Sequence, residues 1–444
     1  MANPASDNAS QRRHTYILCG ILFVDLMGFS IIFPLFPAML DYYLGLEGEN
    51  SLVGRLIQQL QQFSAGSNEE GITIHTKVLF GAVLGGLYTG LQFLCSPIWG
   101  KLSDRYGRRP ILMINLLGTS LSYLLWIFSG SFVLIIITRM LAGVMGGQLS
   151  VVSAAMADLT SRKDRVAGMS LIGVAFGLGF MLGPAIGGIA SWVDLSQILP
   201  QKWQSIGINP FSSVALIAFL MTLSNWLWLY FQFRETLPED KRTKSKGKNL
   251  EVLRNPYVRR LVQVYFVFMV VFASMEFTLT FLVVERLAYN PREMVMIFLF
   301  IGILSGSLQG LVVRKYARLV GEKRILLIGI LSILIGVFLM GQVPEGSASL
   351  FYASLAFIPI GAAAVLPTSS ALVSLYAGEE IQGQAMGVFR SAGALARFCA
   401  PFLGGLLFYR LGSQTAYTLL ALFLLLPLLI GLTLKAFVHE DLQK

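Results

Sequence analysis

Twelve apolar stretches, each close to the length a helix needs to cross a bilayer, dominate the sequence. They lie at 16–40, 77–99, 110–130, 132–157, 166–191, 212–233, 259–284, 293–313, 324–342, 348–376, 383–408 and 414–436. About 20 apolar residues carry a helix through the hydrocarbon, and inside lipid the backbone must satisfy its own polar groups, so such stretches become helices. A content of 55% hydrophobic and 13% charged residues, with a mean hydropathy of +0.68, excludes a soluble chain. The expected fold is an all-α membrane protein of twelve transmembrane helices in two pseudo-symmetric six-helix bundles. The first stretch runs past signal-peptide length without a small-residue cleavage site and is expected to stay in the protein.

The net charge of +10 could suggest nucleic acid in a soluble protein, but its placement argues against that partner. Most Lys and Arg fall on one side of the spans, and the side richer in them stays in the cytoplasm. Both termini are therefore expected to be cytoplasmic. The three cysteines, Cys19, Cys95 and Cys399, lie in apolar spans and are odd in number, which disfavours a disulfide framework. The connection 234–258 holds Lys241, Arg242, Lys244, Lys246 and Lys248, is too charged to bury, and reads as a cytoplasmic linker. It divides an N-terminal bundle (16–233) from a C-terminal one (259–436), with cytoplasmic tails at 1–15 and 437–444. Two bundles of inverted helix triplets would place a solute site between them near the midplane.

Two outer connections, 42–76 and 192–211, are longer than connection requires. In the first, Ser51 could cap a helix on which Leu52, Leu56, Leu60 and Phe63, with Val53 and Ile57, form an apolar stripe opposite Gln58, Gln59 and Gln62. That stripe suits surface packing at the outer leaflet, or a lid.

Between the second and third stretches lies GKLSDRYGRRP, residues 100–110. Gly100 and Gly107 permit a tight backbone, while Lys101, Arg105, Arg108 and Arg109 hold it on the cytoplasmic side. GLVVRKYARLVGEKR, 310–324, occupies the equivalent place in the second half without the acid. The fifth stretch carries GVAFGLGFMLGPAIGG, 173–188, whose small residues allow close helix contact while Pro184 interrupts the ladder; APFLGG, 400–405, echoes it.

The basic turn resembles the loop signature of the major facilitator superfamily, Gly-x-Leu-x-Asp-Arg-x-Gly-Arg-Arg. VDLMGFSIIFPLFPAML in the first span, Arg139 before Gly143 and Gly147, and Asp158 at the end of the fourth span extend the resemblance over almost the whole chain. The Gly-Pro-x-x-Gly-Gly element of Gly183, Pro184 and Gly187 is similar to that of the exporting, proton-coupled antiporters. The branch resembled is that of the tetracycline/proton antiporters. LQFLCSPIWG (91–100), MEFTLTFL (275–282) and MGVFRSAGALARF (386–398) are most similar to its eukaryotic, organic-anion-transporting members. The resemblance implies that Asp104 caps the start of the eleventh helix and that Arg108 pairs with Asp158 as a conformational latch. Gly100, Arg105 and Gly107 belong to the same gating element.

Ionisable groups inside spans cost about 2.5–3.5 kcal/mol each on insertion scales and are functional candidates by default. They are Asp25, Arg139, Glu276, Arg390 and Arg397. The histidines His14, His75 and His439 lie outside the spans, which leaves Asp25 and Glu276 as proton carriers, with Arg139 either coupling or bonding between helices. The competing reading is a permanent ion pair, Glu276 with Arg397 for example. Arg390 and Arg397 are two helical turns apart and could answer an acid or an anionic solute. Phe29, Phe33 and Phe272 flank the acids at helical spacing, and Gln92, Gln148 and Gln309 add uncharged hydrogen-bonding groups, so these with the two arginines are the candidate solute-binding residues.

No nucleotide loop, metal-ligand set or nucleophile motif occurs, so the expectation is ion-driven transport without cofactors, metal or enzymatic chemistry. The leading reading is a proton-coupled antiporter exporting small amphipathic compounds, tetracycline-like drugs or organic anions, by alternating access. Lipid or lysolipid transport and a non-transporting sensor are the alternatives. Solute, protons and bilayer are the expected partners of a monomer in a bacterial inner membrane.

Overall fold

A computed structural model describes residues 4–48, 50–62, 74–160, 165–237, 239, 242, 249–308 and 320–435. All regular structure among them is helical. Nine described segments are long and apolar enough to cross a membrane. One of these, Gln384–Leu432, is 49 residues long, over twice what a span needs. Gly412, with φ of 75°, interrupts it where the eleventh stretch gives way to the twelfth. The eighth stretch is described only in part, and Gln309 lies outside the described residues. The chain is an all-α membrane protein, as its apolar stretches require.

The helices form two compact units, one of residues 1–58 and 84–247, the other of 59–83 and 248–444. In the first, α1 (Pro4–Ser30) is followed by α2 (Phe36–Glu47) and α3 (Leu52–Gln62). α4 (Ile74–Tyr106) leads into α5 (Arg108–Ile127), α6 (Phe132–Met145) and α7 (Gln148–Leu159), then α8 (Arg165–Ala190), the short α9 (Leu195–Ile198) and α10 (Ser212–Gln232). Pro34 and Pro37 divide the first apolar stretch through a 3-10 turn at Phe33–Leu35, since neither can donate to the ladder. Ser51 Oγ accepts from the Gly54 N–H at 3.1 Å and so caps α3. Val53 and Ile57 of its stripe are buried against protein, whereas Leu52 is exposed. The Leu60 side chain and Phe63 lie outside what is described.

The glycines of α8 determine how closely it approaches α1. Gly179, Gly183 and Gly187 recur every four residues and face the carbonyls of Phe23, Met27 and Ile31, also four apart, so a Cβ at any of them would strike backbone. Matched helical rows without side chains allow such contact in lipid, where packing rather than water expulsion drives association. Pro184 sits within α8 and is buried with them. Gly187→Val is expected to lose at least the roughly 1–3 kcal/mol of an overpacked core, because the Ile31 carbonyl cannot swing aside. Thermal unfolding in detergent would register this as a lower midpoint.

The second unit contains α11 (Pro256–Leu287), α12 (Met294–Leu308), α13 (Glu322–Gln342), α14 (Ala348–Leu355), α15 (Phe357–Phe423) and α16 (Leu425–Leu432). Asn255 starts α11, its Oδ1 accepting from the N–H groups of Tyr257 and Val258, with Pro256 in the first turn. Close contact again rests on glycine, Gly329 of α13 against Gly361 of α15 and Gly404 of α15 against Ser274 of α11. Ser274 Oγ donates to the Ala400 carbonyl at 3.1 Å. The first part of α4, up to Val83, belongs to this unit, Gly81 facing Phe281 and Ala82 facing Gly405.

Candidate functional site

The basic turn is shorter than its sequence suggests. Helix α4 continues through Gly100, which packs against Ser150, as far as Tyr106, and Gly107 alone makes the turn with φ of 102°. A side chain there would be strained and would also strike the Glu235 carboxylate. Arg108, 5% exposed, opens α5. Its Nε donates to Asp158 at 2.9 Å, and its Nη1 to Asp104 and to Ser103 Oγ, both at 2.6 Å. One guanidinium thus ties the ends of α4 and α7 through two carboxylates. Arg105 lies over the Tyr106 ring, 5.2 Å from its centroid.

The sequence reading missed Glu235. Its carboxylate accepts from the N–H groups of Arg108 at 2.8 Å and Arg109 at 3.1 Å, and from Thr236 and Leu237 at 3.0 Å. An anion over the unpaired N–H groups of a helix start is favoured by hydrogen bonding and by the helix dipole. The available signal was an acid directly after the sixth span, among cations, with no partner of its own in sequence. Glu235→Ala is expected to cost about 0.5–2 kcal/mol, the range for loss of an N-cap, read as a lower melting midpoint.

Inside the first unit, Asp25 is 4% and Arg139 2% exposed, and neither has an ion-pair partner among the described residues. Arg139 instead lies over Trp126 and Tyr123, at 4.8 and 5.7 Å from the ring centroids, with Nε and Nη2 buried and unbonded. Tyr88 and Tyr123 are within electrostatic reach of both charged groups. Phe29 stacks on Tyr88 at 4.4 Å and meets Phe33 edge-on at 5.3 Å, while Gln92 Nε2 donates to the Tyr88 hydroxyl at 3.3 Å. The structure therefore gathers Asp25, Phe29, Phe33, Gln92 and Arg139 around two tyrosines and a tryptophan that the sequence reading did not select. Aromatic residues are common in spans, and nothing in their spacing marks these three.

Gln148 stands elsewhere, at an interruption of the fourth span. Helix α6 ends at Met145 and α7 begins at Gln148, with Gly146 and Gly147 between. The Trp99 indole N–H donates to the Val144 carbonyl at 2.6 Å, taking an acceptor that a continuous helix would fill with the Gln148 N–H. Gln148 Nε2 donates to Thr119 Oγ1 at 3.0 Å.

In the second unit Glu276 and Arg397 form an ion pair at 3.5 Å, with both side chains 15% exposed. Tyr265 lies within electrostatic reach of Arg390 and Arg397. Its ring stacks on Phe389 at 3.8 Å and covers Gly393, which falls between the two arginines along α15. Phe272, one turn before Glu276, is buried and stacks on Phe268 at 5.7 Å. Each unit thus sets an acid and at least one arginine among aromatic rings, buried in the first unit and half-buried in the second.

Comparison with known proteins agrees with this architecture. The sequence profile of the Major Facilitator Superfamily matches residues 18–340 and 311–441. Major facilitator superfamily domain-containing protein 10 of Mus musculus is 30% identical over 458 residues, covering 96% of this chain and 94% of that protein. The class B tetracycline resistance protein of Escherichia coli is 28% identical over 396 residues, covering 88% and 87%. The crystal structure of the human organic anion transporter MFSD10 (TETRAN) superposes with a TM-score of 0.75 at 29% identity, over 95% of this chain and 99% of that one. The chain belongs to the major facilitator superfamily and is an integral membrane transporter of small solutes rather than an enzyme.

Proposed function

We propose that the protein is a proton-coupled antiporter that exports small amphipathic compounds, tetracycline-like drugs or organic anions, by alternating access. The observation that carries the reading is an acid largely withdrawn from solvent within a membrane span of each unit, Asp25 buried and without a cation at ion-pair distance among the described residues, Glu276 half-buried and opposite Arg397 at 3.5 Å. Such groups are costly in lipid, and proton carriage gives them a purpose. Protonation of one or both permits the return step, and the deprotonated form admits solute. Arg139 biases Asp25 through the shared tyrosines. Phe29, Phe33, Gln92, Gln148, Phe272, Gln309, Arg390 and Arg397 form the solute-binding set in this reading. The 100–108 turn, Asp158 and the Gly183–Gly187 row govern the conformational change.

The names of the relatives support the solute class, one an organic anion transporter and the other a tetracycline resistance protein. The proposed organisation keeps bundles at 16–233 and 259–436 with the linker at 234–258, both termini in the cytoplasm and a single chain as the working unit. The Escherichia coli relative favours a bacterial inner membrane. The reading is tested in proteoliposomes loaded with a pH-sensitive dye, to which a tetracycline, an organic anion or a lysophospholipid is added. A proton flux evoked by one of the first two supports it; a response to the lysophospholipid alone, or to none, refutes it.

A further inference from the structure

The interruption of the fourth span is not explained by proton coupling. Lipid tolerates a broken helix only where other groups satisfy the freed backbone. On the α6 side this is done: the Gly146 N–H donates to the Gly143 carbonyl at 3.1 Å, the Gly147 N–H to Met145 at 2.8 Å, and Trp99 fills the Val144 carbonyl. The α7 side differs, because no side chain caps its start. What lies against that start is the amide of Asn115 from α5, so close that a Cβ on Gly147 would meet its Nδ2. Asn115 is 0% exposed, and neither its Nδ2 nor its Oδ1 has a partner. Gln148, also 0% exposed, uses its Nε2 on Thr119 and leaves Oε1 without one.

A buried amide with both ends unbonded is rare in a native protein. The Asn115 amide at this helix start thus leaves a donor and an acceptor unbonded, and Gln148, the first residue of α7, leaves one further acceptor, all of them uncharged. A cation would meet the Asn115 N–H groups and an anion would meet the two carbonyl oxygens, whereas a group that both donates and accepts satisfies all three. We propose that the break in the fourth span is a binding site for one neutral donor–acceptor group, water or a hydroxyl or amide of the transported solute, held by Asn115 and Gln148. Bound there, the group completes the hydrogen bonding of the interruption and keeps α6 and α7 apart as two half-helices.

The test compares melting of the purified full chain in detergent for Asn115→Leu, which keeps the shape but loses both hydrogen-bonding ends, and Asn115→Ser, which is smaller but keeps a donor and an acceptor. If water fills the site, Leu shifts the midpoint down further than Ser with no solute present, or fails to fold where Ser folds. If the solute's group fills it, the two variants melt alike without solute, and the upward shift that tetracycline gives the wild type and Ser is lost in Leu. Gln148→Met, which removes the other unbonded acceptor, must move in the same direction as Leu. A Leu variant melting at or above Ser, with no tetracycline-dependent difference between them, overturns the site. Melting is read without proton flux, so this outcome is separable from failure of antiport.

Discussion

Glu276→Gln is expected to abolish solute-evoked proton movement in reconstituted vesicles. The substitution also leaves Arg397 without its carboxylate in a site where both side chains are only 15% exposed. Removing one member of a fully buried pair costs about 3–5 kcal/mol, and partial exposure lowers that here, so lost flux in the single variant could still reflect lost folding. The double variant Glu276→Gln, Arg397→Gln separates the two, since it removes both charges and should recover most of the stability. Because Arg397 also belongs to the proposed solute-binding set, flux is read at solute levels that saturate binding to the double variant: a structural pair predicts that it then regains transport coupled to protons, whereas a proton carrier predicts that it regains its melting midpoint, binds solute and still moves no protons. The second outcome is the one expected.

The next largest effect is expected at Arg108. Three donor contacts, to Ser103, Asp104 and Asp158, leave from two nitrogens of one planar fork. A lysine presents a single ammonium and cannot hold two carboxylates on separate nitrogens, so Arg108→Lys is not conservative here. Asp104 and Asp158 retain 32% and 22% side-chain exposure, so water absorbs part of the loss and the stability cost is about 1–3 kcal/mol. Transport should suffer more than folding, because an ion pair at the end of two helices can be broken and remade between conformations. We expect Arg108→Lys to bind solute with little change and to transport it at least about tenfold more slowly, a difference of about 1.4 kcal/mol in the barrier. Binding by tryptophan quenching together with initial flux rates would check it. Loss of both in equal measure would assign Arg108 to folding instead.

Much of this architecture was legible because lipid simplifies the physics. Apolar length alone identifies spans, and a charge inside one is conspicuous, which is why Asp25, Arg139, Glu276, Arg390 and Arg397 stood out. That Glu276 and Arg397 stand opposite one another could not be read from the sequence, because acid and base come from distant spans, and the 3.5 Å contact is compatible with a lasting ion pair and with a proton carrier alike. The break at Gly146 and Gly147 was hidden, because two glycines in an apolar run fit a packed helix as well as an interrupted one. What breaks it is the Trp99 indole from another span, forming a bond that no local pattern encodes. Glu235 was hidden for a related reason. Two of its four partners are backbone N–H groups more than 120 residues away, and backbone groups carry no signature in sequence. Tyr88 and Tyr123 are polar only at the tip, so their role between Asp25 and Arg139 emerges from position rather than from composition.

The central claim is exchange of protons for solute, and its most direct test is solute uptake driven by an imposed pH difference. Vesicles acidic inside and neutral outside are given labelled tetracycline or a labelled organic anion, with and without a protonophore. Exchange predicts accumulation that grows with the outward proton gradient and collapses when the protonophore discharges it. Uptake indifferent to the gradient, or driven by acid outside, would contradict it.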